Sequence, residues 1–308
     1  MKQLILHHYP LSPFAEKIRL IFGFKGLGWS SVLIPSIMPK PDLTALTGGY
    51  RKTPVMQIGA DIYCDTALIA EVIEAHAPRP TLYPRAFAAA SRTLAQWADS
   101  TLFWTAIPFA MQPAGLAAMF EGVPADAIKA FGDDRSTFRA NIPRMRPADA
   151  TPAFALYLER LEEMLGTQDF FFGTAASVAD FSIYHSLWFV LRAGPVAQIL
   201  ESFPALKEWR ARVSAFGHGT PEKLTSTAAI GIAHGTAADP PDGSSGDSHG
   251  ISMGEKVIVA ATDTGTDPIE GTLYGLTANR ISVAREDARA GKVVVHFPRL
   301  GFELRRAK

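Results

Sequence analysis

Apolar residues divide the 308-residue chain into three stretches of different period. The first runs from Leu4 to Ala77. Gln3–His8 is a short apolar run that predicts a strand, and Ser12-Pro13 opens a helical pattern carrying Phe14, Ile18, Ile21 and Phe22. Trp29–Ile34 predicts a second strand. Val55–Ile58 and Ile62–Cys64, split by Gly59-Ala60-Asp61, predict a β-hairpin, because glycine sits in a very short connection between two apolar runs. Asp65-Thr66 then opens a helix with Ala67, Ile69, Ala70, Val72 and Ile73 on or near one face. The order is β-α-β, then β-β-α. Arg51 and Lys52 interrupt the apolar pattern between the halves, and Thr53-Pro54-Val55 begins the third strand. Proline cannot donate to a ladder, which makes it unusual at the first residue of a strand; it is tolerated where its missing N–H faces a ligand. Few X-Pro bonds in folded proteins are cis, but the β-α-β, Pro, β-β-α order raises the expectation of one at Thr53-Pro54 considerably.

The second stretch is helical. Pro78–Pro84 is a linker, and Ala86–Ile107 carries Leu94, Trp97, Ala98, Leu102 and Thr105 at helical spacing. Thr101–Phe120 holds no charge and is about as long as a membrane span, but it contains Pro108, Gln112, Pro113 and Gly115. It reads as a buried helix that ends or kinks near Pro108, with a second segment after Pro113 and no membrane crossing. Asp126–Ala140 is a weaker helix, and Ile142–Thr151 is a polar loop containing Arg144 and Arg146. Thr151-Pro152 starts a helix that reaches about Leu165, with Phe154, Leu158, Leu161 and Leu165 on one side. Ser177 and Asp180 form a capping-box-like pair ahead of an apolar helix, which gives Asp180 a folding role. Phe203–Trp209 begins another helix, and Thr220-Pro221-Glu222 is expected to cap a last one ending near Ala233.

Thr236–Gly250 is dominated by Ala, Asp, Pro, Gly and Ser and reads as a flexible linker. Beyond it the period falls to two. Lys256–Ala261, Ile269–Leu276, Arg280–Ala284, Lys292–Phe297 and Gly301–Leu304 predict five short strands, expected to close into a small SH3-like or OB-like barrel. The resulting division is 1–80, 85–235, a linker at 236–252, and a β module at 253–308.

Composition narrows the function. Net charge is zero, and residues 251–308 carry nine Lys/Arg against seven Asp/Glu, a balance of +2, so no case arises for nucleic acid or an anionic membrane. Cys64 is the single cysteine; no intrachain disulfide or CxxC dithiol can form, which suits a reducing compartment. No apolar leader segment precedes His7, so the expected location is cytoplasmic. No metal site is expected.

Three motifs carry a resemblance: Ser12-Pro13-Phe14-Ala15-Glu16-Lys17-Ile18-Arg19, Lys52-Thr53-Pro54-Val55 and Asp65-Thr66-Ala67-Leu68-Ile69. In that order and spacing they resemble the thioredoxin-like domain of cytosolic glutathione transferases. Ser-Pro-Phe is most similar to serine-type classes such as tau and zeta, and the resemblance continues through an all-helical domain to about residue 235. It does not cover the β module.

The resemblance implies glutathione as co-substrate, an apolar electrophile and a homodimer. Ser12, at a helix N-terminus that favours a nearby thiolate, would donate to the glutathione sulfur rather than act as nucleophile. The same serine also reads as a plain helix cap. The Val55 backbone would pair with the cysteinyl part, with Thr53 and Pro54 setting that geometry. Phe14 belongs to the same set. Lys52 matches a basic residue that reaches the glycyl carboxylate, and Lys40 lies at a similar spacing within a Pro-rich loop read as irregular. Asp65 would take the ligand's ammonium, and the Thr66 N–H and hydroxyl its γ-glutamyl carboxylate. Trp97 and Trp104 would line the electrophile pocket. His7 and His8 read as packed strand histidines and Cys64 as an inert buried thiol, which disfavours thiol–disulfide exchange. The alternative is a non-catalytic binding or regulatory protein on the same scaffold, with the β module recruiting a partner.

Overall fold

The computed structural model describes residues 2–139, 145–240 and 250–307. Its first stretch contains β1 (Ile5–His8), α1 (Pro13–Phe24), β2 (Gly28–Leu33), α2 (Pro41–Thr47), β3 (Val55–Ile58), β4 (Asp61–Cys64) and α3 (Thr66–His76). β1 pairs parallel with β2 and antiparallel with β3, and β3 pairs antiparallel with β4. This is a thioredoxin-like arrangement. Every residue of β1, β3 and β4 is buried, as a sheet covered on both faces requires. The Thr53-Pro54, Met38-Pro39 and Arg79-Pro80 bonds are cis.

The stretch after Lys40 is not the irregular loop expected. Pro41 occupies the first position of α2, and Gly48, at φ 81°, ends it. Leu43, Ala45 and Leu46 are buried in a core cluster shared with β1 and β3.

In the helical part, α4 (Ala88–Trp97) runs through one π-helical turn, Ala98–Leu102, into α5 (Phe103–Ala110). The chain then bends by 91° into α6 (Pro113–Met119). The break falls just after Pro108, near where the proline pattern put it. Among the described residues no single helix is long and apolar enough to cross a membrane. Next come α7 (Ala125–Phe138), α8 (Pro147–Leu165), α9 (Val178–Leu191), a 3-10 stretch Gly194–Ser202, and α10 (Pro204–Ser214). Arg144 lies outside the described residues. α8 begins earlier than Thr151-Pro152 because Pro147 takes the first helical position and Arg146 pairs with Asp149 in the first turn. Pro152 lies within the helix, and the Thr151 hydroxyl donates to the Pro147 carbonyl at 2.9 Å.

α9 is the central helix of the helical core. At its start the Asp180 carboxylate accepts from the Ser177 N–H (2.8 Å), the Ser177 hydroxyl (2.9 Å), the Phe171 N–H (3.1 Å) and the Trp209 indole N–H (2.9 Å). One buried side chain therefore ties together three segments of the helical part.

Thr220-Pro221-Glu222 is not a helix cap. Thr220–Lys223 forms β5, which pairs parallel with β2. As an edge strand it has an unpaired side where Pro221 can be accommodated. α11 (Ser226–His234) starts instead at Thr225, whose hydroxyl accepts from the Ala228 N–H at 3.2 Å.

The five C-terminal strands form as expected: β6 (Lys256–Ala261), β7 (Ile269–Leu276), β8 (Arg280–Asp287), β9 (Gly291–Pro298) and β10 (Phe302–Arg306). They do not form a separate closed barrel. The sheet order is β10-β6-β7-β8-β9-β4-β3-β1-β2-β5, and β9 pairs parallel with β4 through Asp61↔Val294, Ile62↔Val295 and Tyr63↔His296. An unpaired β4 edge would expose a row of backbone donors and acceptors. β9 covers that edge, and β5 covers the opposite one. The apolar sides also merge: Ile5, Val32, Val55, Ile62 and Cys64 share one core with Val257, Val259, Val283, Val295 and Phe297.

Candidate functional site

Three chain segments converge beside the start of α1. Ser12 is buried and caps α1: its Oγ accepts from the Ala15 N–H at 3.2 Å, and its N–H donates to the Tyr9 carbonyl at 3.1 Å. The hydroxyl proton faces the Thr53 carbonyl at 3.5 Å, the outer limit of a hydrogen bond. The cap is therefore real, and it leaves the proton only loosely engaged. That contact brings Ser12 to the Thr53-Pro54-Val55 segment, where Val55 stands opposite His7 on one side and Cys64 on the other.

Asp65 closes the group. It has φ 76° and ψ 135°, left-handed backbone that a residue other than glycine seldom adopts, and such outliers gather at functional sites. Its carboxylate accepts from the Ala67 N–H at 2.8 Å, capping α3. Burial raises its pKa, with the Lys52 charge opposing.

Thr66, the first residue of α3, leads into a buried network absent from the sequence reading. Lys17 Nζ donates to Thr66 Oγ1 at 3.1 Å and to Asp99 Oδ2 at 2.6 Å, and Asp99 Oδ1 lies 2.9 Å from His185 Nε2. Lys17 is 0% exposed. Burial alone would raise the Asp99 pKa, but the Lys17 ammonium and the His185 hydrogen bond outweigh it and hold the carboxyl below its ordinary range. Burial pushes the His185 pKa down, against the pull of Asp99. An ammonium only donates, so Thr66 Oγ1 must accept from Lys17, and its own proton is left for another acceptor. Phe14 packs between Phe103 (4.7 Å) and His185 (4.4 Å), joining α1 to this network.

The two lysines stand at the far end. Lys40, 4% exposed, donates to Thr53 Oγ1 at 3.1 Å and to the Arg51 carbonyl at 3.3 Å, and its ammonium lies 5.9 Å from the centre of the Tyr9 ring. Burial, together with the Arg135 charge, pushes its pKa down to about 8. Lys52 pairs with Asp263 and lies 5.6 Å from the centre of the Phe302 ring, both contributed by the C-terminal stretch.

α7 reaches the same end. Arg135 donates to the Tyr9 hydroxyl (3.2 Å) and the Ser36 carbonyl (2.9 Å), and Asp134 pairs with Arg51 (2.8 Å). The Gly265 N–H donates to the Phe138 carbonyl at 2.9 Å; with φ 56°, and with a Cβ there falling 2.9 Å from the Phe138 ring, this position suits glycine alone. Trp97 and Trp104 sit among different neighbours. Trp97 packs edge-on against Tyr157 of α8, and Trp104 packs against Phe103 beside Arg139.

His7, His8 and Cys64 are buried in their strands. His7 is bonded to Gln57 and His8 to Ser31, and burial lowers both pKa values to about 4. Burial holds the Cys64 thiol well above its ordinary value, and so keeps it un-ionised. Among the described residues no cluster of three His, Cys, Asp or Glu side chains could hold a metal ion.

Comparison with known proteins agrees with this geometry. The model of the glutathione S-transferase N-terminal domain matches residues 6–81, and that of the C-terminal domain matches residues 135–216. A GST-like protein of solved structure from Pseudomonas syringae is 43% identical, with 100% of each chain covered and a TM-score of 0.85. The chain belongs to the glutathione S-transferase family, as a GST-like member with additional C-terminal strands joined to the sheet. A glutathione S-transferase from Rhodospirillum rubrum F11 shares the fold at 23% identity, covering 69% of this chain and 88% of that one, with a TM-score of 0.52. FtsZ-localized protein A from Caulobacter vibrioides is 25% identical over 209 residues, covering 66% of this chain and 83% of that protein.

Proposed function

We propose that the protein is a cytoplasmic, dimeric, serine-type glutathione transferase that activates the thiol of bound glutathione for attack on a small apolar electrophile. The observation that carries this reading is the Ser12 hydroxyl: it sits at the N-terminus of α1, its proton is only loosely engaged, and it lies beside Thr53. Val55 would pair with the cysteinyl backbone. Asp65 would take the ammonium of the γ-glutamyl end, and the Thr66 N–H and hydroxyl its carboxylate. The sulfur would lie over the positive end of α1, within reach of the serine proton. A free thiol has a pKa of ~8.5, so lowering it by two units requires ~2.7 kcal/mol of preferential thiolate stabilisation. A hydroxyl donor and a helix N-terminus together are of that order. The electrophile would sit against the helical part near Phe14, Phe103 and Trp104.

The second reading is a GST-fold binding protein without transferase turnover. The similarity to FtsZ-localized protein A favours it, as does the engagement of Lys52 by the C-terminal stretch. Calorimetry with glutathione, combined with thiolate absorbance against pH, separates the two. The transferase reading expects the Ser12→Ala protein to bind glutathione with nearly unchanged affinity while the bound thiol's pKa rises by one to two units, by analogy with ~1.5–3 kcal/mol for a hydrogen bond to a charged group. No binding by the intact protein at millimolar glutathione would remove the chemistry and leave the binding-protein reading.

A further inference from the structure

The glycyl end of the candidate site is altered by groups from outside the thioredoxin-like unit. Two lysines stand where a ligand's terminal carboxylate would be read, and both are engaged. The Lys40 ammonium has three donors: one goes to Thr53 Oγ1 and one to the Arg51 carbonyl, and the ammonium also faces the Tyr9 ring. It braces the 51–53 segment from below and is buried while doing so. Lys52 is 18% exposed, and its charge is matched by the Asp263 carboxylate, with the Phe302 ring on the same ammonium. Arg51 is matched in the same way, by Asp134 of α7 at 2.8 Å and by Asp267 at 3.8 Å. Asp263 and Asp267 both lie in the β6–β7 connection. That connection is pinned at its middle, where the Gly265 N–H bonds the Phe138 carbonyl.

We infer that Asp263 is a specificity determinant: it takes Lys52 out of carboxylate recognition, so that the site selects a γ-glutamyl thiol whose carboxy-terminal end is uncharged, such as an ester, an amide or a longer conjugate, rather than free glutathione. The inference rests on the glutathione-site reading above. A second carboxylate brought to Lys52 would have to compete with one already fixed in the fold, and would feel the repulsion of Asp263. A neutral end meets neither penalty. The added strands thus tune what the older site accepts.

The test compares glutathione with its glycyl monoethyl ester on the full-length protein, by calorimetry, for the wild type, Asp263→Asn and Asp263→Ala. In the wild type the ester is expected to bind about fivefold more tightly than glutathione. In both variants glutathione is expected to tighten on the order of fivefold while the ester does not, the scale of one partly exposed ion pair. Because the readout is a ratio of two ligands on one protein, a general loss of folded material moves both alike and leaves the ratio. Wild-type protein that binds glutathione as tightly as the ester or more tightly, or a ratio of the two that Asp263→Asn leaves unchanged, overturns this inference and leaves the glutathione site standing. Failure of both ligands to bind the wild type and the variants overturns the site reading itself, and the inference with it.

Discussion

Replacing Lys17 with methionine tests the network beneath the candidate site. The side chain is 0% exposed and touches Asp99 at 2.6 Å and Thr66 at 3.1 Å. Methionine keeps most of the volume and removes the charge. Breaking a buried pair costs about 3–5 kcal/mol, because the remaining charge is left uncompensated. Asp99 is 19% exposed and keeps His185, so the lower half of that range applies: about 3 kcal/mol at pH 8. The cost should depend on pH. In the wild type burial lowers the His185 pKa, and the Lys17 charge adds to this against the pull of Asp99. Without Lys17 the folded pKa of His185 rises. A histidine whose folded pKa lies below its unfolded value costs stability as pH falls through the unfolded value, and the less its pKa is depressed the smaller that cost. The stability gap between wild type and Lys17→Met should therefore narrow between pH 8 and pH 5.5. Urea unfolding at both pH values, followed by tryptophan fluorescence and far-ultraviolet circular dichroism, measures it, provided the slope against urea is unchanged. A gap below 1 kcal/mol at pH 8, or one that widens on acidification, would refute this account of Lys17, Asp99 and His185.

Two further perturbations address the fold. Asp180→Ala removes the acceptor of four buried donors, among them the Trp209 indole; with ~1 kcal/mol for the cap and 1–3 for each donor left unsatisfied, the loss should reach about 4 kcal/mol, and a midpoint within experimental error of wild type would contradict it. Ending the chain at Thr236 strips the C-terminal strands from the core they share with Ile5, Val32, Val55 and Ile62. At ~1.5–3 kcal/mol per fully uncovered aliphatic side chain, even partial exposure rivals the ~5–15 kcal/mol that holds a domain together, so the truncated chain should bind a hydrophobic dye and lose cooperative unfolding. A soluble, cooperatively folding truncation would show that the strands are an accessory after all.

The parts of this molecule legible in the sequence are those set by neighbours a few residues away. Ser12-Pro13, Ser177 with Asp180, and Asp65-Thr66 each announce a helix start, and the hairpin at Gly59 follows from its short connection. α2 is not legible in the sequence, because seven residues carry too little periodicity to separate a helix from a Pro-rich loop. β5 is equally hidden: Thr-Pro-Glu-Lys, exposed throughout, has no strand pattern of its own, and it extends because β2 offers it an edge. Lys17 meets Asp99 across 82 positions and Lys52 meets Asp263 across 211, distances over which no local rule operates. A hint of Lys17 did exist, as a charge between Phe14 and Ile18 on a helix otherwise apolar along that face.

β9 carries the clearest sequence mark of how the C-terminal strands are placed. A strand of a small barrel with one wet face should alternate, yet Val293, Val294 and Val295 are consecutive and all buried. An unbroken valine run belongs to a strand covered on both faces, most often in parallel pairing. β9 has that setting: it is antiparallel to β8 and parallel to β4, with Val294 and Val295 opposite Asp61 and Ile62. Taken at its physical meaning, the run argues that the C-terminal strands continue the sheet of the thioredoxin-like unit instead of hanging from it on a tether. The consequence is functional as well as architectural. A tethered barrel would hold Asp263 near Lys52 only part of the time, whereas a strand bonded to β4, with a core in common, keeps that carboxylate beside Lys52.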